Sequence, residues 1–350
     1  MKGDFVFAIP GDLATPTGGY AYDRRMIAEL REIGWRPEVL NLGDGFPDPT
    51  ALILAGAKAA LTDVPKGRPI VIDGLAFGVM PEAAESLRET HPLVALVHHP
   101  LALETGVTRE RAEALRASER RALACTRAVI ANSAATARAL EADYGVPTER
   151  ITVAPPGTDR VPLVRPNTAS TLVALLAVGS VVPRKGYDLL IAALSELLDL
   201  PWHLTIVGDA RDIATAKQLC AAIGHHKLKP RISLLGAVSP SRLAGLYAAS
   251  DLFVLPSRYE GFGMAYAEAI AHGLPVIGTT AGAIPDTVPA TAGLLIPPGD
   301  VPALAAALRR LIENAEERAE FAAGARTAAA HLPTWPESAK LFSAAMERAV

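Results

Sequence analysis

"LFVLPSRYEGFGMAYAEAIAHGLPVIGT", Leu252–Thr279, decides the fold. Its two ends, "LFVLP" and "LPVIGT", read as short buried strands. Between them a loop carrying Gly261 and Gly263 leads into a helix expected over Gly263–His272, with Gly273 suited to the C′ position. Strand, helix and strand in that order form a crossover between parallel strands. The helix reads as buried, yet the stretch holds two carboxylates, Glu260 and Glu268, with seven residues between them.

The same alternation runs along the chain. Upstream, "DFVFAI", "PIVID", "LVALV" and "AVIAN" read as buried strands, with helices expected near Tyr20–Ile33, Pro81–Glu89 and Thr108–Ala124. In the second half, "LVALLAVG", "HLTIVGD" and "RISLLG" add strands, and Tyr187–Leu198, Ile213–Ile223 and Pro240–Ala248 add helices. Such alternation predicts an α/β protein of parallel sheets with helices on both faces. A proline-rich polar stretch, Ile151–Ser170, separates the two series, and the linker is expected near Thr158–Ala169. Each half then reads as a Rossmann-like doubly wound domain, 1–160 and 161–333. A ligand is expected in a cleft between them, at the carboxyl ends of the strands.

With 350 residues, two domains are expected at about 150 residues each. Half the residues are hydrophobic and 20% are charged, which suits large cores and excludes wholesale disorder. A net charge of −3 argues against a general nucleic-acid binder. Cys125 and Cys220 stand far apart and suggest neither a disulfide framework nor a metal motif, as in a reducing compartment. "MKGDFVFAIPGD" lacks a signal-peptide run, and no stretch approaches the ~20 apolar residues of a membrane span. A soluble, cytoplasmic protein is expected.

Four segments carry the chemistry. Glu260 precedes the helix start and Glu268 lies about five residues into it, roughly 7 Å further along. Backbone N–H groups across Gly261, Phe262, Gly263 and Met264, with the helix N-terminus, favour an anion there. Carboxylates beside a phosphate would repel it, so their expected partners are hydroxyls. A nucleotide sugar offers that mixture, a diphosphate between a ribose and a hexose. In "AVGSVVPRKGYDLL", Arg184 and Lys185 follow a strand and can neutralise a leaving diphosphate; the alternative is two ordinary surface charges. In "IPGDLATPTGGYAYDRR", Gly18 and Gly19 precede a helix, but G-x-G-x-x-G is absent, which counts against an NAD enzyme. In "LVALVHHPLALETG", His98 and His99 follow a strand and cannot both face one way. His98 is preferred as a donor to a sugar hydroxyl or phosphate oxygen, with His99 as the alternative.

Taken in order, Gly18–Gly19, His98, "VIANSAAT", "ITVAPPGTD", "VGSVVPRKG" and the spaced glutamates resemble the retaining glycosyltransferases of family 4, with the two-domain GT-B fold. The resemblance covers nearly the whole chain and departs at Pro156-Gly157, where the family has Asn-Gly. It implies donor ribose hydroxyls on Glu268, transferred-sugar hydroxyls on Glu260, and the diphosphate on Arg184 and Lys185, assisted by N–H groups from Gly261 to Met264. It further implies the first-loop glycines at the donor, and Gly236 and Val238 of "LLGAVS" beside the base. "LPTWPESAKLFSAAMERAV" resembles the family's final helix, implying that 334–350 pack back on the first domain.

The expected reaction moves a sugar from a nucleoside diphosphate to a hydroxyl of a glycan, lipid-linked or small-molecule acceptor, with retention. Neither a cofactor nor a metal is expected: no D-x-D occurs in the chain, and Arg184 and Lys185 supply the positive charge. A disaccharide phosphorylase, a nucleotide-sugar epimerase and a silent nucleotide-sugar binder stand as alternatives. Thr108–Ala128, with six arginines and three glutamates, reads as a solvated helix face; its alternative is peripheral contact with the inner face of a membrane.

Overall fold

A computed structural model describes residues 2–161 and 172–350; residues 162–169 of the expected linker lie outside the described residues. The chain divides into two compact units, Met1–Gly157 with Pro333–Val350, and Thr158–Leu332.

The first unit runs β1 (Asp4–Ile9), α1 (Gly18–Glu32), β2 (Arg36–Asn41), α2 (Ala51–Thr62), β3 (Ile70–Asp73), α3 (Gly74–Phe77), α4 (Pro81–Leu87), β4 (Leu93–Val97), α5 (Arg109–Ala124), β5 (Ala128–Ala131), α6 (Ala134–Tyr144) and β6 (Ile151–Val153). Its strands pair in parallel in the order β2-β1-β3-β4-β5-β6. β3, β4 and β5 are buried along their whole lengths, as strands covered on both faces must be. The second unit runs β7 (Val173–Val178), α7 (Tyr187–Ser195), β8 (Trp202–Val207), α8 (Ile213–His225), β9 (Ile232–Leu234), α9 (Pro240–Ala249), β10 (Leu252–Val254), α10 (Met264–Ala271), β11 (Val276–Thr279), α11 (Ile284–Thr287), β12 (Gly293–Ile296), α12 (Val301–Glu313) and α13 (Ala315–Ala329). Its parallel sheet has the order β12-β11-β10-β7-β8-β9.

Both sheets are doubly wound. The chain builds outward from β1 to β2 and then crosses to β3 on β1's other side; it builds outward from β7 through β9 and then crosses to β10 on β7's other side. Neighbouring strands at such a reversal send their following loops apart, which opens a crevice at their carboxyl ends. The pairs β1/β3 and β7/β10 therefore mark where each unit can hold a ligand.

α14 (Trp335–Ala349) belongs to the first unit. Phe342 stacks on Phe7 of β1 with ring centroids 6.2 Å apart, and Trp35 Nε1 donates to Ser343 Oγ at 2.9 Å. Thr334 and Glu337 form a capping box at its start. Gly157 lies so close to this start that a Cβ would come within 2.2 Å of Trp335 N, so the glycine of the Pro156-Gly157 pair serves the packing of α14.

The strands read from the sequence are present; β2, β6 and β12, each at a sheet edge, add to them. Helix boundaries differ from the expected ones by up to three residues, and two of the differences have a local cause. Gly18 and Gly19 do not precede α1 but form its first two residues, because Thr17 is the N-cap and accepts from Tyr20 N. α10 begins at Met264, because Gly263 is left-handed at φ +93° and caps it. No helix among the described residues is long and apolar enough to cross a membrane.

Phe342 has no exposed surface. Phe342→Ala should cost about 3–5 kcal/mol, read as a lowered denaturation midpoint. A loss below about 1 kcal/mol would show that α14 does not close the first unit's core.

Candidate functional site

Two groups of side chains gather at the two strand-order reversals, one in each unit.

In the second unit, β7 is followed by a short 3-10 turn over Pro183–Lys185, ended by Gly186 at φ +69°. A Cβ on Gly186 would lie 2.2 Å from Pro256 O, so glycine lets this turn press against the loop after β10. The two loops are then laced together. Arg258 N donates to Arg184 O at 2.7 Å, and the Arg258 guanidinium donates to Pro183 O at 2.7 Å and to both oxygens of Asp188 at 2.9 and 2.6 Å.

Inside this lacing sits Glu260, with 7% of its side chain exposed. Lys185 Nζ donates to its Oε1 at 2.6 Å, Ser257 Oγ to the same oxygen at 2.7 Å, and Arg184 Nη1 to its Oε2 at 3.2 Å. The Arg184 nitrogen also donates to Tyr259 O at 3.0 Å. Glu260's own carbonyl accepts from Ala283 N at 2.9 Å, Thr279 Oγ1 donates to Ser257 O at 2.7 Å, and Thr287 Oγ1 to Phe262 O at 2.6 Å. Burial alone would raise the Glu260 carboxyl. Lys185, then Arg184, and the hydrogen bonds from Lys185 and Ser257 outweigh it and bring the group down to about 2.

The segment Gly261–Met264 leads straight from this acid into α10, whose N-terminus has no side-chain cap. Its first N–H groups are thus available to an anion. Glu268 lies in the second turn of α10, where Tyr247 Oη of α9 donates to its Oε2 at 2.9 Å. The Tyr247 ring stacks on His272 with centroids 4.8 Å apart. Burial raises the Glu268 carboxyl, the Tyr247 hydrogen bond opposes that, and Asp159 adds to it. Gly236 and Val238 lie on the loop between β9 and α9. Gly236 O accepts from Gly208 N at 2.9 Å, and Val238 packs on the second unit's core.

In the first unit, His98 follows β4 with 18% of its side chain exposed. Its Nε2 is 3.3 Å from Asp23 Oδ1 of α1 and 3.4 Å from Asp73 Oδ2 at the end of β3. A Cβ on Gly19 would lie 3.4 Å from His98 Cδ2, and Tyr22 sets its ring edge-on at 5.3 Å. His99 faces elsewhere, with Nε2 3.2 Å from Glu104 Oε2. Burial would lower the His98 ring, but Asp23 and then Asp73 hold it well above the ordinary imidazole value. Burial also raises Asp23, against the pull of His98. The donor atoms of Asp23, Asp73 and His98 lie within 4.8 Å of one another. One ring nitrogen therefore faces both carboxylates.

The structure thus brings Arg184, Lys185 and Glu260 into contact, places Glu268 and the Gly261–Met264 segment on the same loop and helix, and sets Gly19 against His98. It adds three residues that motif reading passes over: Tyr247, Asp23 and Asp73. Asp23 had a signal, since it interrupts the buried α1 stripe of Tyr20, Ile27 and Leu30. Asp73 had another, an acid ending the all-buried strand "IVID".

Glu260 ionises in the folded chain at about 2, below its ordinary 4.5. The stability it lends is full above pH 4.5 and is lost as pH falls toward 2. Glu260→Gln should therefore flatten the fall of denaturant stability across that window. An unchanged acid limb would show that the carboxylate is not held by its cations.

Known proteins resemble this chain in sequence and in fold. The family model described as Glycosyltransferase Family 4 matches residues 73–161, and the model described as Glycosyl transferases group 1 matches residues 165–328. The MMP alpha-(1->4)-mannosyltransferase of Mycolicibacterium hassiacum is 27% identical over 325 residues, 87% of this chain and 76% of that protein. The chain spans about half the length of several other curated glycosyltransferases it matches. Sucrose-phosphate synthase of Thermosynechococcus elongatus superposes with a TM-score of 0.82 at 20% identity, covering 98% of each chain. HepE of Anabaena in complex with UDP-glucose superposes with a TM-score of 0.76 at 21% identity, covering 98% of this chain and 99% of that one. The two matched models together take in most of the chain, and with the paired doubly wound sheets they establish that it belongs to the glycosyltransferases of family 4, with a GT-B fold.

Proposed function

We propose that the protein transfers a hexose from a nucleoside diphosphate to an acceptor hydroxyl, with retained anomeric configuration and without a metal. The observation that carries this reading is the Lys185–Glu260–Arg184 group, set at the strand-order reversal beside the uncapped start of α10. Two cations and a row of N–H groups suit a diphosphate, and acceptor-only carboxylates at Glu260 and Glu268 suit the hydroxyls on either side of it. Glu268 takes the ribose, Glu260 the transferred sugar, and Gly236 and Val238 border the base. In the first unit the candidate group is His98 with Gly18–Gly19.

A front-face route with retention fits what Glu260 offers. A carboxylate held near pKa 2 by two cations is a poor base and a weakened nucleophile, so Glu260 neither deprotonates the acceptor nor attacks the sugar well. The departing phosphate oxygen takes the acceptor proton on the same face, while an oxocarbenium-like centre forms between them. Arg184 and Lys185 stabilise the charge gathering on the leaving diphosphate. The chain supplies positioning and electrostatics.

The mannosyltransferase relative and the neighbour holding UDP-glucose support a hexosyl donor. The acceptor is a glycan, a lipid-linked sugar or a small polyol, met in the cytoplasm. Three of the five arginines of α5 face carboxylates, Arg109 with Glu113, Arg111 with Asp48, and Arg121 with Glu82 and Glu85, which weakens the pull of this helix toward an anionic membrane surface.

A thermal-shift screen of nucleotide sugars identifies the donor, and NMR of the product then reads the anomeric configuration; an inverted product sinks the front-face mechanism. Arg184→Ala with Lys185→Ala should lower turnover by about 10³-fold, and near-normal rates would remove the leaving-group role. Glu268→Ala should weaken donor affinity about 10-fold or more, and Tyr247→Phe by a smaller factor in the same direction. Unchanged affinity in Glu268→Ala would remove the ribose assignment.

A further inference from the structure

We propose that Asp23 and Asp73 are positioning residues that keep His98 as an imidazolium, so that it meets its ligand as a cationic Nδ1–H donor and never as a base. The inference rests on the glycosyl-transfer reading for its consequence, though not for its test.

Three observations lead there. First, both carboxylates approach the same ring nitrogen, Nε2, at 3.3 and 3.4 Å. A single N–H shared between two acceptors is poorly aligned to each, so the pair acts on the ring as charge more than as a matched hydrogen-bond partner. Second, Asp23 has no exposed surface, and neither of its oxygens has a hydrogen-bond partner among the described residues. A neutral imidazole would leave this carboxylate buried without a counterion, at a cost that a cationic ring removes. Third, the ring is packed edge-on against Tyr22, and Gly19 leaves room beside its Cδ2 edge. Asp73 is fixed, because its Oδ1 accepts from Leu75 N at 2.7 Å.

The titratable groups facing the ring are Asp23 and Tyr22 from α1 and Asp73 from the end of β3. Tyr22 is not a competing anion: its hydroxyl donates to Ala154 O at 2.9 Å, and burial raises it well above its ordinary value. With Nε2 turned to the acids, Nδ1 is the nitrogen on the far side of the ring. In an imidazolium both nitrogens carry hydrogen, so Nδ1 can donate to a phosphate or sugar oxygen and has no lone pair with which to take a proton. The acceptor's proton must then leave by another route, which suits its transfer to the departing phosphate.

The test needs no donor or acceptor. The full chain is labelled with ¹⁵N-histidine, and the His98 ring is assigned by its absence from His98→Gln. Long-range ¹H–¹⁵N spectra should show both ring nitrogens protonated from about pH 6 to beyond about pH 8.5, where an ordinary imidazole is neutral. In Asp23→Asn and in Asp73→Asn the ring should titrate at least about 1.5 units lower. Asn at position 73 keeps the cap on Leu75, so that variant reports even where Asp23→Asn fails to fold. Once a donor is in hand, both variants should lose kcat by about tenfold or more with a smaller change in donor KM. Wild-type titration near about 6.5, an unmoved titration in the folded variants, or a stoichiometric divalent metal bound through Nε2 by elemental analysis would each overturn the proposal. A chain whose ring behaves as expected but which transfers no sugar would sink the functional reading and leave the imidazolium standing.

Discussion

The second unit depends on one carboxylate between two cations. Glu260 is the point where the loop after β7 meets the loop after β10. Those loops belong to neighbouring strands whose connections leave in opposite directions, so no continuous stretch of backbone holds them together. The ion pairs, the Arg258 lacing and the close approach at Gly186 do so instead. A single buried ion pair is weak evidence of stability, because desolvation offsets much of the attraction. Here each oxygen of Glu260 has a cationic donor, Ser257 adds a third hydrogen bond, and the backbone around the acid is itself bonded, so the group is fully satisfied and rigid.

The first unit solves a related problem with the signs exchanged. There one imidazole stands between two acids, at the reversal between β1 and β3 and the strand beside it. In both units a buried charge is held by opposite charge on a neighbouring element. Such preorganised charge stabilises developing charge without having to reorient at the moment of reaction.

Much of this was legible in sequence, for reasons that differ by element. Strands buried on both faces, such as "LVALV" and "IVID", read as unbroken apolar runs. β2 does not, because it lies at a sheet edge and five of its six residues keep some exposure, so its "RPEVLN" looks like a polar turn. β12 is also an edge strand, only four residues long and half-buried in its middle. The spaced glutamates and the Arg-Lys pair were visible because each lies within one short segment. Their contact was not, because it joins residues 75 and 76 positions apart, which no local pattern encodes. Reading Glu260 only as a partner for sugar hydroxyls left out its first partner, the cation pair. Asp23 was hidden differently: a buried stripe read for its apolar members passes over the one acid in it.

The resting charge balance bears on how a diphosphate can enter. Two cations facing one carboxylate leave about one net positive charge, to which the start of α10 adds roughly half a charge more. Without Glu260, two clustered ammonium and guanidinium groups would repel each other and draw in solvent ions, and the loops would lose their common anchor. With it, both cations are paired and held in place before any ligand arrives. An entering diphosphate then shares Arg184 and Lys185 with an acid that holds position through Ser257. On the proposed reading such a ligand would find both cations already in place rather than having to gather them.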